Sequence, residues 1–281
     1  MLIYALALLF FAGMDAISKF LAVRHPVPFV AWMRYLVQLL LMTAIFAPVM
    51  GRELVILQRP GLVVLRGLCL VGITLFMMFG LQRLPLAEAT SIVFIAPLLV
   101  VVGAKPILGE RIGKARWLAV SGGFAGVLLI IRPGSSLDQL GVVFAMLTAS
   151  CMTAYQLLTR VLTRSENSVA MLYYSGVVGT MLFTLSLPWY WATYMPPWQE
   201  MVLLCSFGTL GFLGHLCFTL AFRDTQASTL APLTYVQLLW AGLLGWLVFG
   251  QRPDSIALCG MAIVGACGVI VALTQPSVGR G

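Results

Sequence analysis

Residues 80–111 read "GLQRLPLAEATSIVFIAPLLVVVGAKPILGER", and residues 221–252 read "AFRDTQASTLAPLTYVQLLWAGLLGWLVFGQR". Each is a polar turn, then a long apolar run that closes on Gly, Glu or Gln, and Arg. At one constant offset Gly109 matches Gly250, Arg111 matches Arg252 and Phe94 matches Tyr235. In the runs that follow, Gly123 and Gly126 align with Gly265 and Gly268 after a one-residue shift. A match over two consecutive runs in the same order marks an internal repeat. Each run is about twenty residues long, the length a helix needs to cross a hydrocarbon core.

Outward from this pair, runs of similar length lie at 2–22, 28–49, 61–81, 86–108, 115–132, 140–160, 168–188, 199–221, 226–249 and 255–274. That makes ten expected spans, separated by turn-forming stretches such as "RHPVP", "QRLP", "TRSEN" and "GQRPD". With 61% hydrophobic and only 9% charged residues, the 281-residue chain cannot cover a water-facing surface; a soluble domain carries about a quarter charged residues. The expected fold class is therefore an all-α integral membrane protein. Residues 1–22 do not read as a signal peptide, since they lack a basic start and a small-residue cleavage site.

The net charge of +8 raises the question of nucleic acid, but no basic cluster interleaves with aromatics on a polar face. The basic residues fall between apolar runs and read as topology information. One side collects Arg52, Arg59, Arg66, Arg111, Lys114, Arg116, Arg160, Arg164, Arg223 and Arg280. The other collects Arg24, Arg83, Arg132 and Arg252. By the positive-inside rule both termini face the cytoplasm. Each repeat holds five spans, an odd number, so the second, residues 138–281, crosses in the opposite sense to the first, residues 1–137. Inverted repeats around a central cavity are the plan of secondary transporters.

The residues also resemble a known family. "PLAEATSIVFIAPLLVVVGAKPILGER", "ASTLAPLTYVQLLWAGLLGWLVFGQRPD" and the "VPFVAWMRYL" of the second span are similar to the EamA-type ten-helix members of the drug/metabolite transporter superfamily. The resemblance covers essentially the whole chain. It implies transport of amino acids, other metabolites or cations, with export the more usual direction among amino-acid carriers. One departure is Gln251, where the family often has Glu.

Charges inside spans need a partner or a task, since each costs about 2.5–3.5 kcal/mol at the bilayer centre on insertion scales. Asp15 and Lys19 stand four residues apart on the first span, a favourable intrahelical pairing; Lys19 could instead reach the outer interface. Arg34 and Gln38 form a similar pair on the second span, at about the depth of Asp15. An Asp15–Arg34 ion pair at the outer end of the cavity is expected, either lining the substrate path or bracing two helices. In the second repeat Thr153 stands at the place of Asp15 and Ser175 at that of Arg34, with Tyr155, Gln156, Tyr173 and Tyr174 nearby. Tyr155 and Tyr174 are the candidates there, against a packing or interface role.

His215, among glycines 208, 211 and 214, is either a satisfied core residue or, with Asp15, a group that couples transport to protons. Tyr235, Gln237 and Trp240 stand at midplane level; Gln offers donors and acceptors without charge, and Trp a flat face. Pro97 and Pro232 fall in matched helices and are candidate hinges. Glu88 reads as a helix-terminus acid. Gly122 and Gly126 form a GxxxG on the fifth span, which with the tenth reads as a packing helix.

Six cysteines, none in CxxC spacing, suit neither structural disulfides nor zinc. No P-loop, metal cluster or nucleophile with its base is present, so the chain is expected to be no enzyme and to need no cofactor or metal. The expectation is a multi-pass carrier of the cell (inner) membrane, exporting amino acids by alternating access. The alternatives are a carrier of other metabolites, organic cations or drugs, and an integral-membrane enzyme. The expected partners are a small-molecule substrate and the bilayer, with no nucleic acid. Proton coupling and monomer against homodimer stay open.

Overall fold

The computed structural model describes residues 2–96, 98–100, 102–103, 114–131, 137–162, 165–190, 196–224 and 236–273. These are helices joined by short links, with no strand among the described residues. In order they form α1 (Leu2–Ala22), α2 (Val27–Met50), a 3₁₀ turn (Gly51–Leu54), α3 (Pro60–Arg83) and α4 (Leu86–Val93). The rest are α5 (Lys114–Ile130), α6 (Gln139–Leu162), α7 (Ser168–Tyr190), α8 (Trp198–Asp224), α9 (Val236–Phe249) and α10 (Ser255–Leu273).

Among the described residues six helices are long and apolar enough to cross a membrane: Leu2–Ala22, Val27–Leu54, Pro60–Arg83, Gln139–Leu162, Ser168–Trp189 and Trp198–Phe218. The other four expected spans are shorter apolar helices. For α4 the cause lies in the sequence. A proline at 97 has no N–H to offer the carbonyl of Val93, and the helix is interrupted by a turn at Phe94 and Ile95, with helical conformation again at 96, 98–100 and 102–103. Pro97 itself, Pro232 and the Gly109–Arg111 end of the first repeat lie outside the described residues. At the matching end of α9, Gly250 closes the helix with φ of +63°, a backbone setting that glycine adopts without strain.

Helix pairing follows a pattern. α3 packs on α6 and α7, as α8 packs on α1 and α2; α1 meets α9, as α6 meets α4; α2 meets α7, α4 meets α9 and α5 meets α10. Exchanging α1–α5 with α6–α10 leaves this set unchanged. The α5–α10 contact brings Gly126 and Gly260 together so closely that a Cβ on Gly126 would stand 2.9 Å from the Gly260 carbonyl. Leu118 (79% exposed) and Leu128 (63%) on α5 point outward, as lipid-facing residues do.

Polar contacts at the helix ends gather the links into two faces. On the near face His25 Nε2 meets Glu200 Oε2 at 2.7 Å, which ties the α1–α2 link to the start of α8. There too Arg83 Nη1 donates to Asp138 Oδ2 at 2.8 Å, and the Leu86 amide donates to Gln251 Oε1 at 3.1 Å. Gln251 thus supplies from α9–α10 an acceptor for an otherwise unpaired amide opening α4, a task that needs an oxygen but no charge. On the far face the Arg59 amide donates to Glu166 Oε1 at 2.5 Å, and the Tyr174 hydroxyl donates to the Val55 carbonyl at 2.9 Å. Tyr4 and Phe218 stand there too, with ring centroids 5.7 Å apart. So α1 ends at the near face, where α6 begins, and α2 ends at the far face, where α7 begins.

Candidate functional site

Two buried guanidinium groups organise the polar interior. Arg34 lies seven residues into α2, about 10 Å below the near face at 1.5 Å per residue. It is 3% exposed. Its Nη1 donates to the Thr74 hydroxyl on α3 and, at 3.4 Å, to the Tyr35 hydroxyl. Tyr35 and Thr74 are 2.8 Å apart, oxygen to oxygen, and both reach the Leu70 carbonyl. The guanidinium also faces the Tyr35 ring at 4.9 Å and the Phe207 ring at 5.6 Å. Hydroxyls and aromatic faces therefore hold this charge. Its Nε has no partner among the described residues.

Gln38, one turn further along α2, is wholly buried, and neither its Nε2 nor its Oε1 has a partner among the described residues. Both residues face Gly211 of α8, where a Cβ would stand 3.4 Å from Arg34 Nε and 3.9 Å from Gln38 Oε1. Two donors and one acceptor are thus orphaned in one seam between α2 and α8. Such groups cost about 1–3 kcal/mol each when buried unpaired, so their presence together points to recognition of a polar ligand.

The expected Asp15–Arg34 ion pair is not formed. Asp15 Oδ2 instead accepts from Gln237 Nε2 on α9 at 3.3 Å, while Arg34 acts on it only through space. The reason is rotational: Arg34 turns toward α3, where the Thr74 hydroxyl lies nearer. Lys19 is neither paired with Asp15 nor extended to solvent. Its Nζ donates to the carbonyls of Leu81, at 2.8 Å, and Leu84 at the end of α3, and stands 5.7 Å from the Phe249 ring. A helix C-terminus carries unpaired carbonyls and partial negative charge, and two such carbonyls hold the ammonium here in place of the Asp15 carboxylate one turn away. Glu88, in the first turn of α4, is buried, and its Oε2 has no partner among the described residues.

The sequence counts the second guanidinium, Arg66, among the basic residues of the cytoplasmic side, yet it is 5% exposed, six residues into α3. Its Nε donates to Thr159 Oγ1 at 2.7 Å and its Nη2 to the Tyr155 hydroxyl at 2.6 Å. Its Nη1 donates to Ser175 Oγ at 3.1 Å and the Met171 carbonyl at 3.2 Å. Tyr155 and Ser175, noted in the sequence as second-repeat counterparts, are brought together by this arginine. Arg66, Thr74 and Tyr35 were missed. The available signal was that residues 66, 70 and 74 lie on one stripe of a span already recognised.

Of the remaining expected residues, Tyr174 reaches the α2–α3 link rather than the interior. His215 packs edge-on against Phe11, with ring centroids 5.0 Å apart. Trp240 is half-buried. Tyr235 lies outside the described residues. No cluster of three His, Cys, Asp or Glu suited to a metal occurs among the described residues. A groove of about 850 Å³ runs along α8, past Trp198, Val202, Cys205 and Thr209. It is open and mostly apolar, and neither Arg34 nor Arg66 lines it.

Comparison with known proteins bears on family and fold. The model of the EamA-like transporter family matches residues 1–132 and again 139–274. An S-adenosylmethionine uptake transporter of Rickettsia bellii is 27% identical over 93% of this chain and 89% of its own. A pseudopaline exporter of Pseudomonas aeruginosa is 25% identical, over 95% and 93%. A riboflavin transporter of Rhizobium johnstonii is 30% identical over 66% and 61%. A crystal structure shares the fold with a TM-score of 0.66 over 95% of this chain and 96% of its own, at 18% identity.

Proposed function

The chain belongs to the EamA-like transporter family, and on that footing we propose that its cargo is an amino acid or a close amino-acid derivative, exported by alternating access. That it is a membrane carrier of small metabolites, not an enzyme, follows from the family and from the named relatives. Those relatives move unlike cargoes in both directions, so cargo and direction rest on the site. The observation that carries the reading is the seam of Arg34, Gln38 and Gly211, with Asp15 and Gln237 facing it across α1 and α9. Arg34 Nε and Gln38 Nε2 are donors for a carboxylate; Asp15, Gln237 and Gln38 Oε1 are acceptors for an ammonium. Phe207 and Tyr35 beside them favour an apolar or aromatic side chain.

Alternating access is supported by the exchangeable helix pairing and by equivalent links lying on opposite faces. We take residues 1–137 and 138–281 as inverted halves, rocking about the seam. The far face carries Arg52, Arg59, Lys114, Arg160 and Arg223 against Arg24, Arg83 and Arg252 on the near face, which supports a cytoplasmic far face and cytoplasmic termini in an inner membrane. Asp15 is the proton-coupling group in this reading, and the segments about Pro97 and Pro232 are its hinges. The test is uptake of an unbiased metabolite mixture into proteoliposomes, read by mass spectrometry, with and without a pH gradient. Enrichment of amino acids is expected. Enrichment of only cationic or carboxylate-free compounds would overturn the cargo assignment.

A further inference from the structure

We infer that Arg66 is a second carboxylate-binding group, serving the far half of the translocation path as Arg34 serves the near half. The inference rests on the transport reading, though not on the cargo being an amino acid. Arg66 is buried in a span, and among the described residues no carboxylate lies within ion-pair distance of it. All its acceptors are neutral: three hydroxyls and one backbone carbonyl. A buried cation held only by neutral oxygens is poised for an anion, because a carboxylate adds an opposite charge and a two-pronged geometry that hydroxyls and a carbonyl do not supply.

The exchange leaves little unsatisfied behind it. Thr159 Oγ1 also donates to the Tyr155 carbonyl at 2.7 Å, and Ser175 Oγ to the Met171 carbonyl at 3.0 Å. Both hydroxyl hydrogens therefore keep a partner when Arg66 turns away. In its present position Arg66 joins α3 to both α6 and α7, and so braces the far face shut. Taking up a carboxylate would release that brace, coupling cargo capture to opening.

Placement supports the pairing of roles. Arg34 is seven residues past the start of α2 at the near face, and Ser175 is seven past the start of α7 at the far face. Where the first half carries its arginine on the second helix, the second half carries a serine there and receives the guanidinium from α3.

The test is counterflow in proteoliposomes with four probes: phenylalanine, glutamate, phenylpyruvate and phenylalaninamide. Wild type is compared with Arg66→Lys and Arg66→Gln, with melting in detergent recorded for each. For every acid that wild type carries, the expected KM at the far face rises tenfold or more in Arg66→Gln and less in Arg66→Lys, while any carriage of phenylalaninamide stays within about twofold of wild type. Should Arg66→Gln not fold, Thr159→Ala/Ser175→Ala decides: freeing the guanidinium is expected to lower the far-face KM for acids, and a higher KM would overturn the inference. Equal loss of acids and amide in Arg66→Gln would make Arg66 a structural brace and overturn it, leaving the transport reading intact. Carriage of phenylpyruvate but not of phenylalanine, abolished in Arg66→Gln, would uphold Arg66 and sink only the amino-acid cargo. Wild type that carries none of the three acids overturns both.

Discussion

Two glycines three residues apart on α8 should respond to the same substitution in opposite ways. At Gly208 a Cβ would stand 2.6 Å from Val37 Cβ and 2.9 Å from the Arg34 carbonyl. The latter is helix backbone, so α2 and α8 must separate; overpacking of this kind costs about 1–3 kcal/mol. At Gly211 the nearest atoms, Arg34 Nε and Met14 Sδ, are both at 3.4 Å, which is ordinary contact. Alanine there gains helix propensity of about 0.5–1 kcal/mol over glycine and breaks no existing hydrogen bond. Its methyl, however, would stand 3.4 Å from Arg34 Nε, the donor proposed for the carboxylate. Gly211→Ala should therefore melt at or above wild type in mild detergent, yet raise the KM for cargo in counterflow by about tenfold, equivalent to about 1.4 kcal/mol. Gly208→Ala should melt lower. A Gly211→Ala protein that melts normally and carries cargo with unchanged KM would refute the seam as the binding site.

Three further outcomes follow from particular contacts. Lys19→Met should lower stability by about 1.5–3 kcal/mol, the value of a charge-assisted bond, by orphaning the Leu81 and Leu84 carbonyls. In a double-mutant cycle with Asp15→Asn the two changes should add to within about 0.5 kcal/mol, whereas coupling well above that would restore a direct pair. Thr74→Val should cost about 1–3 kcal/mol in a chemical denaturation series, since the hydroxyl that accepts from Arg34 is lost in a buried site; an unchanged midpoint would contradict the geometry. At the near face, Arg83 and the amides of Leu140 and Gly141 hold the Asp138 carboxyl below its ordinary 3.8. A depressed value means that the stabilisation is present above the unfolded value and lost as pH falls through the folded one. The melting temperatures of wild type and Asp138→Asn should therefore differ at neutral pH and converge below pH 3.8.

Hydropathy sufficed for the helices that are apolar along their full length. The expected 2–22, 61–81 and 140–160 became α1 at Leu2–Ala22, α3 at Pro60–Arg83 and α6 at Gln139–Leu162. Within the expected 86–108 the break falls at Phe94 and Ile95, just before Pro97, which hydropathy alone does not register but residue identity does. The polar residues on α1 and α2 could be singled out because a charge in an apolar run is conspicuous. Their partners could not, since pairing depends on the rotation of one helix against another. Spacing along one helix put Lys19 beside Asp15, whereas the packing of α1 on α3 put it beside the carbonyls of Leu81 and Leu84. Arg66 shows the other limit. Six residues, about 9 Å, from a helix end, a long side chain can either leave for water or turn inward. Only the hydroxyls of Thr159, Ser175 and Tyr155, on helices far along the chain, decide which.

The most direct measurement is trans-stimulation in proteoliposomes. Vesicles are loaded with an excess of the unlabelled cargo recovered from the mixture uptake, and entry of the labelled compound is followed. A carrier that exposes one site to either side in turn should show saturable entry and a transient overshoot above equilibrium, both lost in Arg34→Gln. Entry that never saturates and shows no overshoot would mean a continuous pore, and would contradict alternating access.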